Sequence, residues 1–285
     1  MADKRMERAI FLRSAAQAPE ILGRASRFYI GDEFCERRLP SERMLEELRR
    51  IGVMKGGRIT LVTPPLGEGG VAGVGKIIAR LSDIIKGGFE VVVNDWGLFG
   101  SLSRRPRGLE LVLGRVLSAP YARTGRPGGK AHPKALLRAL APFPFLRPCA
   151  APGGCDPREM ISDEFSEPFL RFLLDNRVKA VEFNFIRHLL AVRGQFRKNS
   201  LKAHLYWPWS FLSWTRFCPC AAGFKGDARK SLGGCRRECD KTYGVARLGP
   251  DVEIIMRGNA YLIPHGRIES AAGLPVDRLI EDGLF

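Results

Sequence analysis

An α/β chain built on a parallel, TIM-barrel-like sheet is what this sequence predicts. Two patterns carry that expectation. Short β-branched runs such as Val91-Val92-Val93 alternate with stretches of helical periodicity. Polar, chemistry-bearing residues also stand directly after successive strands, where a parallel barrel places its working loops. At 285 residues the chain is long enough to bury one large core. No stretch approaches the ~20 apolar residues of a membrane helix. Met1–Ala15 is charged and lacks the apolar run of a secretory signal. A soluble, cytoplasmic protein with reduced thiols is therefore expected.

The elements follow in order. Arg27–Ile30 reads as a strand ending just before Cys35, and Leu39–Ile51 as a helix with Ser41 at its N-cap. Arg58–Thr63 is a strand ended by Pro64-Pro65, and Lys76–Ile85 a helix stopped by Gly87-Gly88. Glu90–Asn94 and Leu109–Leu113 read as strands, and Ser166–Asp175 as a helix. Val178–Phe185 and Leu201–Tyr206 are further strands. Val252–Met256 and Ala260–Ile263, separated by Arg257-Gly258-Asn259, make a late hairpin. The whole, 1–285, reads as a single barrel-like domain with a cysteine-bearing loop at 215–243. Pro120–Pro157, with Arg126-Pro127-Gly128-Gly129 and Pro152-Gly153-Gly154, reads as an inserted surface loop or lid holding a short helix at Lys134–Leu140.

Forty-six Lys and Arg against thirty Asp and Glu give a formal net charge of +16. Such a field attracts nucleic acid, anionic membrane or an acidic partner. No long single-sign tail carries the charge, so a solvated Arg-rich surface accounts for it equally well.

Seven cysteines are too few for a disulfide framework, and their odd number leaves a thiol over. Cys35 lies far upstream, whereas Cys218, Cys235 and Cys239 are clustered late. One remote thiol plus a cluster is how a chain folds around a metal centre. Thiolates select zinc or iron–sulfur clusters, which commonly take four of them. Buried free cysteines are the plainer alternative, but Cys235 and Cys239 sit among Gly, Arg and Lys with few apolar neighbours. Cys149 and Cys155 read as incidental thiols of the insertion.

Gly70, Gly75 and Lys76 match the spacing of a phosphate-binding loop, with Val91–Asp95 as a strand bearing a magnesium-binding acid. Ile77 stands where the motif requires a Ser or Thr hydroxyl, so a glycine-rich turn opening a helix is expected, without nucleotide hydrolysis.

The strand ends mark the candidate site. Asn94 and Asp95 end one strand, Arg115 follows another, and Glu182 and Asn184 end a third. His204, Tyr206 and Trp207 close a further strand. Together with Cys35, these residues are expected on one rim. Leu205–Trp214, with Tyr206, Trp207, Trp209, Phe211 and Trp214, would supply an apolar wall, or ordinary core aromatics.

At these residues the chain resembles the collagenase-like peptidase family, and most its short iron–sulfur branch, typified by UbiU and UbiV of oxygen-independent ubiquinone biosynthesis. The resemblance rests on Tyr29–Arg38, Val93-Asn94-Asp95-Trp96-Gly97, Leu113-Gly114-Arg115, Val181-Glu182-Phe183-Asn184, Arg216-Phe217-Cys218-Pro219 and the closing Cys235 and Cys239. It implies a barrel-like α/β fold and a 4Fe-4S cluster ligated by Cys35, Cys218, Cys235 and Cys239. It also implies a cluster-bearing paralogous subunit as partner, in a hydroxylase acting on an aromatic or quinone-like substrate. Other family members hydroxylate RNA bases, which the basic charge favours here, and a zinc-stabilised binding module is the non-enzymatic alternative. No nucleophile–base arrangement argues for proteolysis. Cys220 is an alternative ligand to Cys218. Met1–Ala25 does not reproduce the strand with which the family begins, so the barrel is expected to be incomplete at its N-terminus.

Overall fold

A computed structural model describes residues 6–56, 58–104, 108–118, 165–184, 186–216, 218–221, 235–248, 252–264 and 276–282. The chain divides into two compact units. One comprises Met1–Ala119, Glu167–Pro208 and Ile268–Phe285, the other Pro120–Ser166 and Trp209–Arg267.

The first unit is a closed parallel barrel. Its strands are β1 (Glu7–Leu12), β2 (Arg27–Gly31), β3 (Arg58–Val62), β4 (Phe89–Val93), β5 (Leu109–Leu113), β6 (Val178–Phe183), β7 (Lys202–Trp207) and β12 (Arg278–Glu281). They close in the order β1-β12-β7-β6-β5-β4-β3-β2. Each strand pairs in parallel with its neighbour, for instance Ile30 opposite Leu61 and Val91 opposite Leu111. Helices α1 (Glu42–Arg50), α2 (Glu68–Ile84), α3 (Trp96–Ser103), α4 (Glu167–Asp175) and α5 (Ile186–Lys198) run between them. The expected TIM-barrel-like α/β architecture is present.

The N-terminus corrects the expectation of an incomplete barrel. Glu7–Leu12 is a strand that pairs with β12 on one side and β2 on the other, and so closes the sheet. Its opening charges hid it. Glu7 forms ion pairs with Arg27 and Arg278, so a charged residue serves a buried face. Arg278 hid β12 in the same way, its side chain only 1 % exposed.

The middle of the barrel is filled by Ala9, Phe11, Tyr29, Val62, Val92, Val112, Ala180, Tyr206 and Ile280. Strand β4 is buried along its length, as Val91-Val92-Val93 requires of a strand covered on both sides. Ser41 caps α1 by accepting from Met44 N at 3.2 Å. Helix α2 begins eight residues before the expected start, and Gly70, Gly75 and Lys76 all lie on it. The phosphate-loop spacing is therefore coincidental. Glycines disfavour a helix by about 1 kcal/mol each, which makes this one look like a loop in sequence. A Cβ on Gly70 would meet the Glu36 carboxylate at 2.8 Å, so small residues let the loop after β2 lie against the helix.

In the second unit, β8 (Trp209–Trp214), β9 (Gly244–Leu248), β10 (Val252–Arg257) and β11 (Ala260–Pro264) form an antiparallel sheet in the order β8-β11-β10-β9. The expected late hairpin is β10–β11, turning at Gly258 with φ 61°. The insertion, including Lys134–Leu140, Cys149 and Cys155, lies outside the described residues, as does much of the 215–243 loop. Among the described residues no helix is long and apolar enough to cross a membrane.

Candidate functional site

The carboxyl ends of the barrel strands carry a buried polar assembly. It starts at Gly31, whose φ of 110° no side chain adopts comfortably and whose missing Cβ leaves room for the Val62 carbonyl. The chain turns there, and Asp32 takes over the next backbone groups. Its carboxylate accepts Phe34 N at 2.8 Å and Cys35 N at 3.0 Å. Arg13, after β1, bridges Asp32 at 3.0 Å and Asp282, after β12, at 2.6 Å. Cys35 is thereby fastened to the rim through Asp32, and it remains half-buried.

Glu33 turns inward. Arg115 meets it in a two-point contact, Nε to Oε1 at 2.7 Å and Nη2 to Oε2 at 2.6 Å. The two side chains are 0 % and 2 % exposed. The Arg115 guanidinium lies 3.7 Å over the Tyr206 ring and reaches Asn184 Oδ1 at 3.4 Å. Burial pushes the Glu33 carboxyl above its ordinary range, against the pull of Arg115.

Glu182, on β6, is fully buried. Among the described residues neither of its carboxyl oxygens makes a hydrogen bond of ordinary length, and the Tyr206 hydroxyl makes none either. Burial first, and the Glu33 charge second, push Glu182 up to about 8; the Tyr29 and Tyr206 hydroxyls, near enough for long, weak hydrogen bonds, and the Arg115 charge pull the other way. Near neutral pH it holds a proton. Ser118 fixes its backbone by donating to the Glu182 carbonyl. A buried carboxylic acid beside a phenol and an already neutralised guanidinium can give a hydrogen bond, or its proton, to an oxygen placed against it.

The other expected site residues divide. Arg115, Glu182 and Asn184 come together. Asn94 instead brackets backbone, donating to Thr63 O at 3.0 Å and accepting Val116 N at 3.0 Å, and its amide fills the space that a Cβ on Gly114 would need. Asp95 is the N-cap of α3, accepting Leu98 N at 2.8 Å, and it also takes Leu66 N at 3.2 Å. His204 belongs to a different network, with Nδ1 3.3 Å from Arg278 Nη1. Burial and that arginine push its pKa well below the usual imidazole range. The aromatic run is split: Tyr206 and Trp207 end β7, whereas Trp209, Phe211 and Trp214 lie on β8. Sequence reasoning missed Glu33, Asp32, Arg13 and Asp282. The signal was available in Asp32-Glu33, two carboxylates directly after a strand and just before a cysteine.

In the second unit two thiols, Cys220 and Cys239, lie at the hairpin turn at Gly258. Gly258 N donates to Cys220 Sγ at 3.1 Å, and a Cβ on this glycine would stand 3.7 Å from Cys239 Sγ. The Cys218 thiol is lowered to about 6, chiefly by a hydrogen bond with Cys220, whose own pKa that pairing and burial push up. Cys235 Sγ accepts Arg237 N at 3.4 Å. Among the described residues no three Cys, His, Asp or Glu side chains surround one point as a metal site does.

No family model matches the chain, and no curated protein matches it. Among solved structures, the U32 peptidase Mk0906 is similar at 11 % identity and a TM-score of 0.48, over 99 % of this chain and 94 % of that one.

Proposed function

We propose that this chain is the iron–sulfur subunit of an oxygen-independent hydroxylase or related redox enzyme, acting on an aromatic or quinone-like substrate at the carboxyl end of the barrel. The observation that carries the reading is Glu182, a buried acid protonated near neutrality whose oxygens, like the neighbouring Tyr206 hydroxyl, make no hydrogen bond of ordinary length with a described residue. Buried polar groups are normally satisfied, so an unsatisfied pair at the working end of a barrel marks where a substrate oxygen belongs. Cys35 stands on the same rim, held by Asp32.

The donor set suits a cluster. Cys35, Cys235, Cys239 and either Cys218 or Cys220 would hold it, soft thiolates being the ligands such clusters take. When bound, the cluster supplies single-electron transfer. The chain's own residues supply the rest. Glu182 delivers a hydrogen bond or proton to the substrate oxygen, Tyr206 orients that oxygen, and the Arg115–Glu33 pair holds the phenol ring from its face. A paralogous cluster-bearing subunit is the partner this reading implies, and pull-down from native cells looks for it.

The net charge of +16 favours a second reading, base hydroxylation of RNA by the same centre. Protein purified without oxygen should contain about four iron and four sulfide per chain. Cys35→Ala, Cys235→Ala and Cys239→Ala should lose them, while Cys149→Ala and Cys155→Ala should keep them. Co-purifying RNA on an iron-bearing protein would favour the second reading. A colourless protein with stoichiometric zinc would replace both with a zinc-stabilised binding module.

A further inference from the structure

The opposite mouth of the barrel is also shaped, and nothing in the proposed chemistry uses it. A cavity of about 900 Å³ opens there, lined at the starts of β2 to β7 by Arg27, Arg58, Phe89, Leu109, Lys179 and Lys202, with Lys86 and Arg177 beside them. Six of its lining residues are cationic and two, Glu90 and Glu110, are acidic. Arg27 and Glu90 pair with each other at 3.2 Å and form the floor. Among the described residues, Arg58 has only a long contact to Glu7, at 3.8 Å.

The remaining cations are different. Lys86, Arg177, Lys179 and Lys202 are exposed. None of them makes a side-chain hydrogen bond or ion pair with a described residue. Offsetting the carboxyl ends of α2 and α4 accounts for Lys86 and Arg177. Lys179 and Lys202 stand on the adjacent strands β6 and β7, past the last turns of α4 and α5, where the helix-end field has largely fallen off. Between the cations the chain turns at Gly87, Gly88 and Gly108, with φ of 109°, 89° and 131°. These turns put no side chain into the cavity. A Cβ on Gly88 would stand 2.7 Å from the Gly108 carbonyl, so larger residues are excluded there.

We infer that this amino-terminal mouth is a second binding site, independent of the carboxyl-end chemistry, which takes phosphate groups. Four cations lining one cavity, with one exposed carboxylate, Glu110, suit a multiply charged anion. Ligand sites for neutral molecules are instead mostly apolar. Two sources carry that chemistry: a compact polyphosphate or the phosphodiester backbone of single-stranded RNA.

The test uses the intact chain at about 0.15 M salt, where exposed charges more than roughly 8 Å apart are screened. Tripolyphosphate is titrated by calorimetry, and a fluorescein-labelled oligouridylate by anisotropy. The combined Lys86→Gln, Lys179→Gln, Lys202→Gln variant should bind at least about tenfold more weakly. For RNA, its slope of log affinity against log salt should fall by about 0.7 for each phosphate that is no longer neutralised. Glu110→Gln should bind more tightly. RNA held much more tightly than tripolyphosphate assigns the backbone as the source, and equal or reversed affinities assign the compact anion. Failure of both probes to bind would overturn the site. So would an equal loss in a control variant, Arg43→Gln, Arg50→Gln, Arg171→Gln, which removes three cations from elsewhere on the same unit. Circular dichroism confirms that each variant is folded.

Discussion

The barrel interior holds two buried polar layers, and they are satisfied to very different degrees. Towards the strand starts, Arg278 donates to Glu90 at 2.6 and 2.8 Å, to Glu7 at 2.7 Å and to the Tyr29 hydroxyl at 2.8 Å. Arg27 donates to Glu7 at 3.0 Å and to Thr60 at 3.1 Å, and Thr60 in turn donates to Glu90 at 3.0 Å. Burial alone would raise Glu90, but Arg278 and Arg27 outweigh it and hold the carboxyl below its usual range. Towards the strand ends, Glu182 has no ion-pair partner among the described residues, and its pKa moves the opposite way. One fold thus contains an ionised glutamate that binds the sheet together and a protonated one left ready for something else. The number of charged partners, rather than depth of burial, sets these two carboxyls apart, and under the proposed chemistry it separates architecture from function.

The largest test breaks the satisfied layer. Arg278→Leu leaves Glu90 and Glu7 buried without their main counter-charge. Removing one partner of a buried pair typically costs about 3–5 kcal/mol. Denaturant unfolding should show a drop of that size. Restoring neutrality with a second change, Glu90→Gln, should recover part of it. A drop under about 1 kcal/mol would mean that the layer is hydrated and that the contrast between the two ends is false.

The next test sharpens the unsatisfied layer through pH. Glu182 binds its proton more tightly folded, at about 8, than its ordinary value of 4.5. Between those values the native state holds more protons than the unfolded state, so stability falls as pH rises, and it levels off above about 8. Glu182→Gln imitates the protonated form and removes this dependence. The difference in unfolding free energy between variant and wild type should shift in the variant's favour by about 1 kcal/mol per pH unit across that window. Parallel pH profiles for the two proteins would place the titration elsewhere. Under the proposed chemistry, Glu182→Gln also loses turnover while keeping its iron, and wild-type turnover declines above about pH 8.

The legibility of the sequence follows the same division. Strands such as Val91-Val92-Val93 were legible because both faces are apolar, and the Ser41 cap because its side chain meets a local backbone group. Strands β1 and β12 were not, because Glu7, Arg27 and Arg278 are neutralised only by residues distant in sequence. Helix α2 was half legible, its glycine-rich first turns imitating a loop. In the candidate site, Arg115, Glu182 and Asn184 could be picked out by their place after strands. Glu33 also follows a strand but was passed over, since its role shows only when it meets Arg115, 82 positions away. Strand-end position also selected Asp95 and Asn94, whose partners are backbone groups.

Asp95 gives the smallest and most discriminating test. Sequence position makes it a candidate for the chemistry, while its contacts make it a cap. It is half-buried, and it holds the first turn of α3 through Leu98 N and the preceding loop through Leu66 N. Removing an N-cap costs about 1 kcal/mol, whereas Asn caps nearly as well as Asp. Asp95→Ala should therefore lower unfolding stability by about 1 kcal/mol. Asp95→Asn should cost less, because it keeps the Leu98 hydrogen bond but turns an amide group, instead of an acceptor, towards Leu66 N. Iron content and turnover should survive in both. If turnover instead collapses in both variants with stability intact, Asp95 belongs with Glu182. Partner number would then no longer suffice to tell a structural carboxylate from a working one.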